Sequence, residues 1–203
     1  MSRKRTAILI SGRGSNMAAL IDAARAPDFP AEIVLVISNR EDAGGLVKAR
    51  KDGIETKIVP HKAYASREDF DAALDAVLQA ERIDLVCLAG FMRILSDGFA
   101  RKWAGRVLNI HPSLLPAFKG VRVHEQALEA GVKVSGCSVH FVVPELDSGP
   151  IIEQEAVRVL PGDTPEALAA RILEQEHRIY PHALKLVAEG KVMLADGKAV
   201  FAR

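Results

Sequence analysis

Asn109 and His111 stand two residues apart in Val107-Leu108-Asn109-Ile110-His111-Pro112-Ser113-Leu114-Leu115-Pro116. The apolar run Val107 to Ile110 reads as a short buried strand. On a strand, residues at i and i+2 point to the same side. Pro112 disfavours the helical region for His111 and holds it extended, and Pro116 stiffens the far end of the turn. An amide donor and a titratable ring therefore leave one strand end together, on restrained backbone. Such a pair can stabilise charge that develops during a reaction. It can equally be a polar pair that satisfies loop carbonyls, and spacing alone does not separate the two.

Three further stretches could join them. Pro144-Glu145-Leu146-Asp147-Ser148-Gly149-Pro150 offers a carboxylate on a proline-bounded loop. Asp147 there could reach His111, orient its ring and favour the charged form, although an Asp-Ser-Gly run is more often a plain turn. Gly12-Arg13-Gly14-Ser15-Asn16 ends the first strand and opens the first helix. Its glycines let backbone approach a ligand, and a helix start presents free amides to an anion, with Ser15 or Asn16 capping the helix, binding the anion or both. The dinucleotide fingerprint fails because Met17 holds its third glycine position, and no lysine follows as in a Walker loop. A single phosphate fits best, against an ordinary strand-to-helix turn. Finally, Ala89-Gly90-Phe91-Met92-Arg93-Ile94-Leu95 leaves the fourth strand toward the sheet's carboxyl edge, where ligands of open α/β sheets sit. An apolar wall there would suit a planar heterocycle, but the segment alone reads more readily as a buried connector. His140, mid-strand, and His177, in a helix, read by default as packing or surface residues.

These residues need a scaffold, and the 203-residue chain alternates strand and helix. Strands are expected at Thr6 to Ser11, Glu32 to Ser38, Glu55 to Val59, Asp84 to Ala89 and Val107 to His111. Helices are expected at Met17 to Ala26, Gly44 to about Asp52, Ser66 to Ala80 and Ser96 to Trp103, with Ser66 and Asp69 as a capping box. This order predicts an α/β fold with a Rossmann-like open, mainly parallel sheet and helices on both faces. After a helix from Val123 to Ala130, the longer strands Val134 to Val143 and Ile151 to Val159 should extend the sheet antiparallel. A helix capped at Thr164-Pro165 should run toward Tyr180, kink or break at Pro181 and resume to Glu189. Asp196-Gly197 centres a terminal hairpin over Lys191 to Phe201.

Bulk properties narrow the function. About half the residues are apolar and the formal net charge is +1, which gives no basic arm for nucleic acid and no polybasic membrane patch. A small anionic substrate needs only local donors. Cys87 and Cys137 lie in apolar runs without metal spacing and read as reduced core residues. The basic start, Met1 to Thr6, precedes too short an apolar run for a signal peptide or membrane span, so a cytoplasmic location is expected.

Taken in order, SGRGSN, LAGFMRIL, NIHPSLLPAF, GCSVHFV, ELDSGPII and LEQEHRIYP make the chain resemble the phosphoribosylglycinamide formyltransferases, the folate-dependent transformylases of purine synthesis. The resemblance covers about Ile8 to Glu189. It departs at Arg122, where the family often has a histidine, with His124 retained. The resemblance implies formyl transfer from 10-formyltetrahydrofolate, as co-substrate and without a metal, to the amine of 5′-phosphoribosylglycinamide, toward IMP. It implies Asn109, His111 and Asp147 as the catalytic set, and Gly14, Ser15 and Asn16 as the phosphate site. Arg67, Met92, Arg93, Ile94 and Leu95 would hold folate, together with Asn109 and the loop Val143, Pro144, Glu145, Leu146, Asp147. Leu173, Glu174, Gln175 and Glu176 would contact the glycinamide substrate. The family also often has a cis peptide at the position matching Leu115–Pro116.

A single formyltransferase domain over 1–203 is expected, with a phosphate-binding part to about 105, a folate and catalytic part over about 106–190, and a hairpin over 191–203. A homodimer is left open. Two rivals share this kind of domain: formyltetrahydrofolate hydrolase, usually with an extra N-terminal regulatory domain, and methionyl-tRNA formyltransferase, with a C-terminal tRNA-binding barrel. Neither addition fits in this chain. A third rival is a non-catalytic nucleotide module, with Ser38-Asn39-Arg40 facing an NADP 2′-phosphate, and the missing third glycine counts against it.

Overall fold

The computed structural model describes residues 2–202, so Met1 of the basic start and Arg203 at the end of the expected hairpin span lie outside the described residues. Strands β1 (Lys4–Ile10), β2 (Ala31–Ser38), β3 (Glu55–Ile58), β4 (Leu85–Leu88) and β5 (Val107–His111) alternate with helices α1 (Ser15–Ala24), α2 (Gly44–Lys51), α3 (Arg67–Ala80) and α4 (Asp97–Lys102). Then follow α5 (Val123–Glu129), β6 (Val134–Phe141), β7 (Ile151–Arg158), α6 (Pro165–Ala188) and the strands β8 (Val192–Ala195) and β9 (Lys198–Phe201). Seven strands form one sheet in the order β3-β2-β1-β4-β5-β6-β7. The first five are parallel, whereas β6 runs antiparallel to both β5 and β7.

Period-two burial decides which face each helix covers. In β1, Ile8 and Ile10 pack in one core with Leu20 of α1, Leu46 of α2, Ala127 of α5 and Ile172 of α6. Ala7 and Leu9 face the other way, into a second core with Phe70 and Leu74 of α3 and Phe99 of α4. The sheet is therefore covered on both faces, which explains why its central parallel strands β1 and β4 carry the unbroken apolar runs Ala7–Ile10 and Leu85–Leu88. The order of strand addition reverses between the parallel neighbours β1 and β4: β2 and β3 add on one side, β4 and β5 on the other. That switch point opens a crevice at the carboxyl edge.

Local chemistry sets the helix ends. Ser66 accepts a hydrogen bond from the Asp69 amide at 3.0 Å and donates to the Asp69 carboxylate at 2.7 Å. Thr164 caps α6 by accepting from the Ala167 amide, with Pro165 at the first helical position. Asp196 and Gly197 both have positive φ, as a two-residue type I′ hairpin turn requires. Two expectations need correction. The helix through Pro181 is continuous to Ala188 and does not break. Proline forfeits one hydrogen bond to the His177 carbonyl, yet Ile179, Tyr180, Ala183 and Leu184 on either side are all buried in the core. Neither Ser15 nor Asn16 caps α1: Gly14 is the cap residue, left-handed at φ 72°, with no side-chain bond.

Candidate active site

Asn109 and His111 point to the same side at the end of β5, paired in register with His140 and Ser138 of β6. The His111 ring is buried. Its Nε2 donates to the Phe118 carbonyl at 2.9 Å, and its Nδ1 lies 3.5 Å from the Asp147 carboxylate. The turn after Pro112 is fixed from β6 and β7. Ser138 donates to the Ser113 carbonyl at 2.7 Å and accepts from the Leu115 amide at 3.0 Å, and Gln154 donates to the Leu115 carbonyl at 3.0 Å. The Leu115–Pro116 peptide is cis.

Asp147 reaches His111 as expected, although the two are far apart in sequence. It is buried in the left-handed region at φ 46°, a conformation Asp tolerates better than most residues, and accepts from the Gly120 amide at 2.8 Å. Lys119 donates to Ser148 at 2.6 Å, so the 118–120 stretch and the 144–150 loop close on each other above His111. The loop descends to this depth because Gly149 has no side chain: a Cβ there would stand 1.6 Å from the Phe141 carbonyl oxygen.

His140 is a site residue that its mid-strand position concealed. Its Nδ1–H donates to the Phe141 carbonyl at 2.9 Å, which leaves Nε2 as an acceptor for the Asn109 amide at 3.2 Å. Burial pushes its pKa below the ordinary histidine value, against the opposing pull of the Phe141 carbonyl and Asp147. The neutral ring is the form that can accept from Asn109. His140 therefore fixes the amide plane of Asn109 and leaves the second N–H for another acceptor. His124, at the first turn of α5, is likewise lowered by burial, and its Nδ1 is buried without a partner.

A cleft of about 410 Å³ lies at the switch point, where the ends of β1 and β4 meet. It is lined by residues 11–16 and by Asn39, Arg40, His61, Ala89, Gly90, Met92 and Arg93. Gly14 is held by close backbone packing, because a Cβ would meet Gly45 Cα at 3.1 Å. The α1 start, Ser15, lines this cleft and is partly exposed. Asn16 is turned inward: its amide donates to Glu176 of α6 at 2.7 Å, while its oxygen is buried without a partner. Burial pushes the Glu176 carboxyl above its ordinary range, with the Asn16 hydrogen bond opposing. Of the other expected contacts on α6, Leu173 and Gln175 are half-buried and Glu174 is exposed, and none of the three lines the cleft.

The segment after β4 lies between this cleft and β5. It is not a buried connector. Met92 is 70% and Ile94 52% exposed, Leu146 of the 144–150 loop is 50% exposed, and Leu95 is buried. Arg93 and Glu145 are exposed, Val143 and Pro144 half-buried, and Arg67 is exposed at the first turn of α3. Exposed apolar side chains grouped at a sheet edge mark a ligand or partner surface. The nucleotide-module alternative loses its residues: Asn39 is turned onto Ser11 at 2.6 Å, and the Arg40 guanidinium pairs with both Asp42 oxygens at 2.9 and 2.6 Å. Cys87 and Cys137 are free and buried, and burial pushes both thiols up to about 12. Among the described residues, no group of three or more His, Cys, Asp or Glu is placed to hold a metal ion, and no helix is long and apolar enough to cross a membrane.

A doubly wound sheet with polar groups gathered at its switch point makes this an α/β protein of the Rossmann-like class. A family model described as formyl transferase matches residues 4–184. The phosphoribosylglycinamide formyltransferase of Escherichia coli K12 is 46% identical over 192 residues, which cover 95% of this chain and 91% of that protein. The trifunctional purine biosynthetic protein adenosine-3 of Bos taurus is 57% identical over 194 residues, 96% of this chain but 19% of that protein, so the chain spans about a fifth of its length. The crystal structure of glycinamide ribonucleotide transformylase 1 from Symbiobacterium toebii aligns with a TM-score of 0.95 at 49% identity, covering 99% of this chain and 95% of that one. The chain belongs to the formyl transferase family.

Proposed function

We infer that the chain transfers the formyl group of 10-formyltetrahydrofolate to the amine of 5′-phosphoribosylglycinamide, in the assembly of the purine ring. The observation that carries this reading is the order of three features at adjacent strand ends: the glycine turn after β1, the exposed apolar segment after β4, and Asn109 and His111 on β5 with Asp147 of the 144–150 loop beside them. An anionic substrate and a flat apolar one can thus meet at the last of these. The family and its named relatives support the same reading.

In this reading the phosphate rests on the amides of Gly14, Ser15 and Asn16. The pterin of the folate lies along Met92 to Leu95 and against Val143 to Leu146, with Arg67 and Arg93 near the acidic glutamate tail at the folate's other end. Asn16 of α1 and Glu176 of α6, joined by their hydrogen bond, contact the phosphoribosylglycinamide. The amine adds to the formyl carbon, the carbon–N10 bond breaks, the amine loses a proton and N10 gains one. The Asn109 amide, oriented by His140, gives its second N–H to the oxygen that becomes anionic. His111 adds a charged donor once that oxygen replaces the Phe118 carbonyl at Nε2. Asp147 holds the ring from Nδ1 and supports its charge. Phe118, Gly120 and Arg122 all have positive φ, so the segment that must yield is one held in uncommon backbone conformations. Positioning two substrates and stabilising the oxyanion carry the acceleration. The reading places the chain in the cytoplasm, acting on small molecules as a monomer or a homodimer.

The test is an acceptor competition. Purified chain is given 10-formyltetrahydrofolate with phosphoribosylglycinamide, water alone or methionyl-tRNA. Formylated glycinamide formed in step with tetrahydrofolate is expected. Formate release without any amine acceptor would make the chain a hydrolase and overturn the reading.

A further inference from the structure

Strand ends β1, β2 and β4 are joined by a directional chain of hydrogen bonds that the chemistry above does not use. The Met92 amide donates to Ser11 Oγ at 2.8 Å, and Ser11 Oγ donates its one proton to Asn39 Oδ1 at 2.6 Å. The Ser11 amide also donates to the Gly90 carbonyl at 3.1 Å. Asn39 is held in turn by His61, whose Nδ1 lies 3.1 Å from the amide nitrogen and 3.0 Å from the main-chain oxygen of Asn39. One ring tautomer accepts from the amide and the other donates to the carbonyl. Ser11 and Asn39 are both buried. A buried hydroxyl that accepts one bond and commits its only proton to another has a fixed direction.

The position of this chain gives it a use. Ser11 immediately precedes the glycine turn, and Met92 begins the exposed apolar stretch after β4. The stretch from Met92 to Ile94 has no regular structure, and the bond to Ser11 ties its first amide to the sheet edge.

We propose that Ser11 and Asn39 are positioning residues for the folate co-substrate: Asn39 orients the Ser11 hydroxyl, and that hydroxyl sets the Met92 backbone on which the pterin lies. The proposal rests on the folate reading given above. It adds two residues of the cleft wall that act on folate through Met92, and it makes folate affinity depend on Asn39, which follows β2, two strands away from β4.

Steady-state constants for both substrates test it, with Ser11→Ala, Asn39→Leu, the double variant and Ser11→Thr. Ser11→Ala and Asn39→Leu should each raise the folate KM about fivefold, as for one lost hydrogen bond. The phosphoribosyl substrate's KM should rise less than the folate KM, and kcat should move less than about twofold, as for loss of binding expressed equally in ground and transition states. The double variant should be no worse than either single, because both cut one chain. Ser11→Thr keeps the hydroxyl and should retain the wild-type folate KM. Ile94→Asp serves as the control for the folate reading and should raise the same KM at least about tenfold. If the control raises the KM and Ser11→Ala does not, the positioning role is wrong. Equal changes in both KM values, or losses that multiply in the double variant, also overturn it. A control without effect removes the folate reading and the proposal together.

Discussion

Adding one methyl group at Gly149 should inactivate the chain without unfolding it. A Cβ at this position falls 1.6 Å from the Phe141 carbonyl oxygen and 3.1 Å from His140 Nδ1. Lifting it to a tolerated separation of about 3.0 Å requires a shift of about 1.4 Å. Phe141 cannot supply that shift: it is fully buried and paired with Leu108 in the sheet. The 144–150 loop must therefore rise, breaking the bond from the Phe141 amide to the Pro150 carbonyl. Asp147, two residues away, would rise with it from His111 and from the Gly120 amide. A displacement of about 1 Å at a reacting constellation can cost on the order of 10² in rate, so Gly149→Ala should lose at least that factor in kcat. The assay is formyl transfer at saturating substrates, with circular dichroism to show that the fold persists. A folded Gly149→Ala variant with kcat within about threefold of wild type would refute the reasoning, because the seating of Asp147 could then not matter.

Other outcomes follow from the same geometry. Asn109→Ala should cost on the order of 10²–10³ in kcat, as for one oxyanion donor, while the melting temperature changes little; a loss confined to KM would give Asn109 a binding role only. His140 bears on stability. Its folded pKa is depressed by burial, so its contribution is present above the unfolded histidine value of about 6.5 and is lost as pH falls below it. Between about pH 7 and 5, stability of the His140→Gln variant should fall less steeply than wild type, by up to about 1.4 kcal/mol per pH unit. Identical slopes from denaturant titrations would mean that folding does not depress the His140 pKa.

Much of this was legible in the chain. Apolar runs broken by glycine turns placed all the sheet strands to within a few residues, and Val107–His111 came out with the expected ends. The i, i+2 spacing put Asn109 and His111 on one side, and proline and glycine around Asp147 marked its loop. What escaped was pairing across the sheet. Nothing local to His140 says that it faces Asn109, because that depends on the β5–β6 register. The bond from Asn16 to Glu176 spans 160 residues and exists because α1 packs on α6. The Ser11–Asn39 bond likewise needs two strand ends brought together by the sheet order. Pro181 misled for a related reason, since tertiary packing on both sides outweighed a local cost. The exposure of Met92 and Ile94 was hidden as well: composition gives apolarity, but only the topology leaves that edge open.

The central claim is that Asn109, His111 and Asp147 act on one transition state, and the His111–Asp147 pair puts it at most direct risk. The decisive measurement is a double-mutant cycle on kcat for formyl transfer, using His111→Ala, Asp147→Ala and the double variant. If Asp147 acts by holding and charging His111, the double variant should be no slower than His111→Ala, within about threefold. If instead the two single losses multiply, the residues work independently and the shared role assigned to them is wrong.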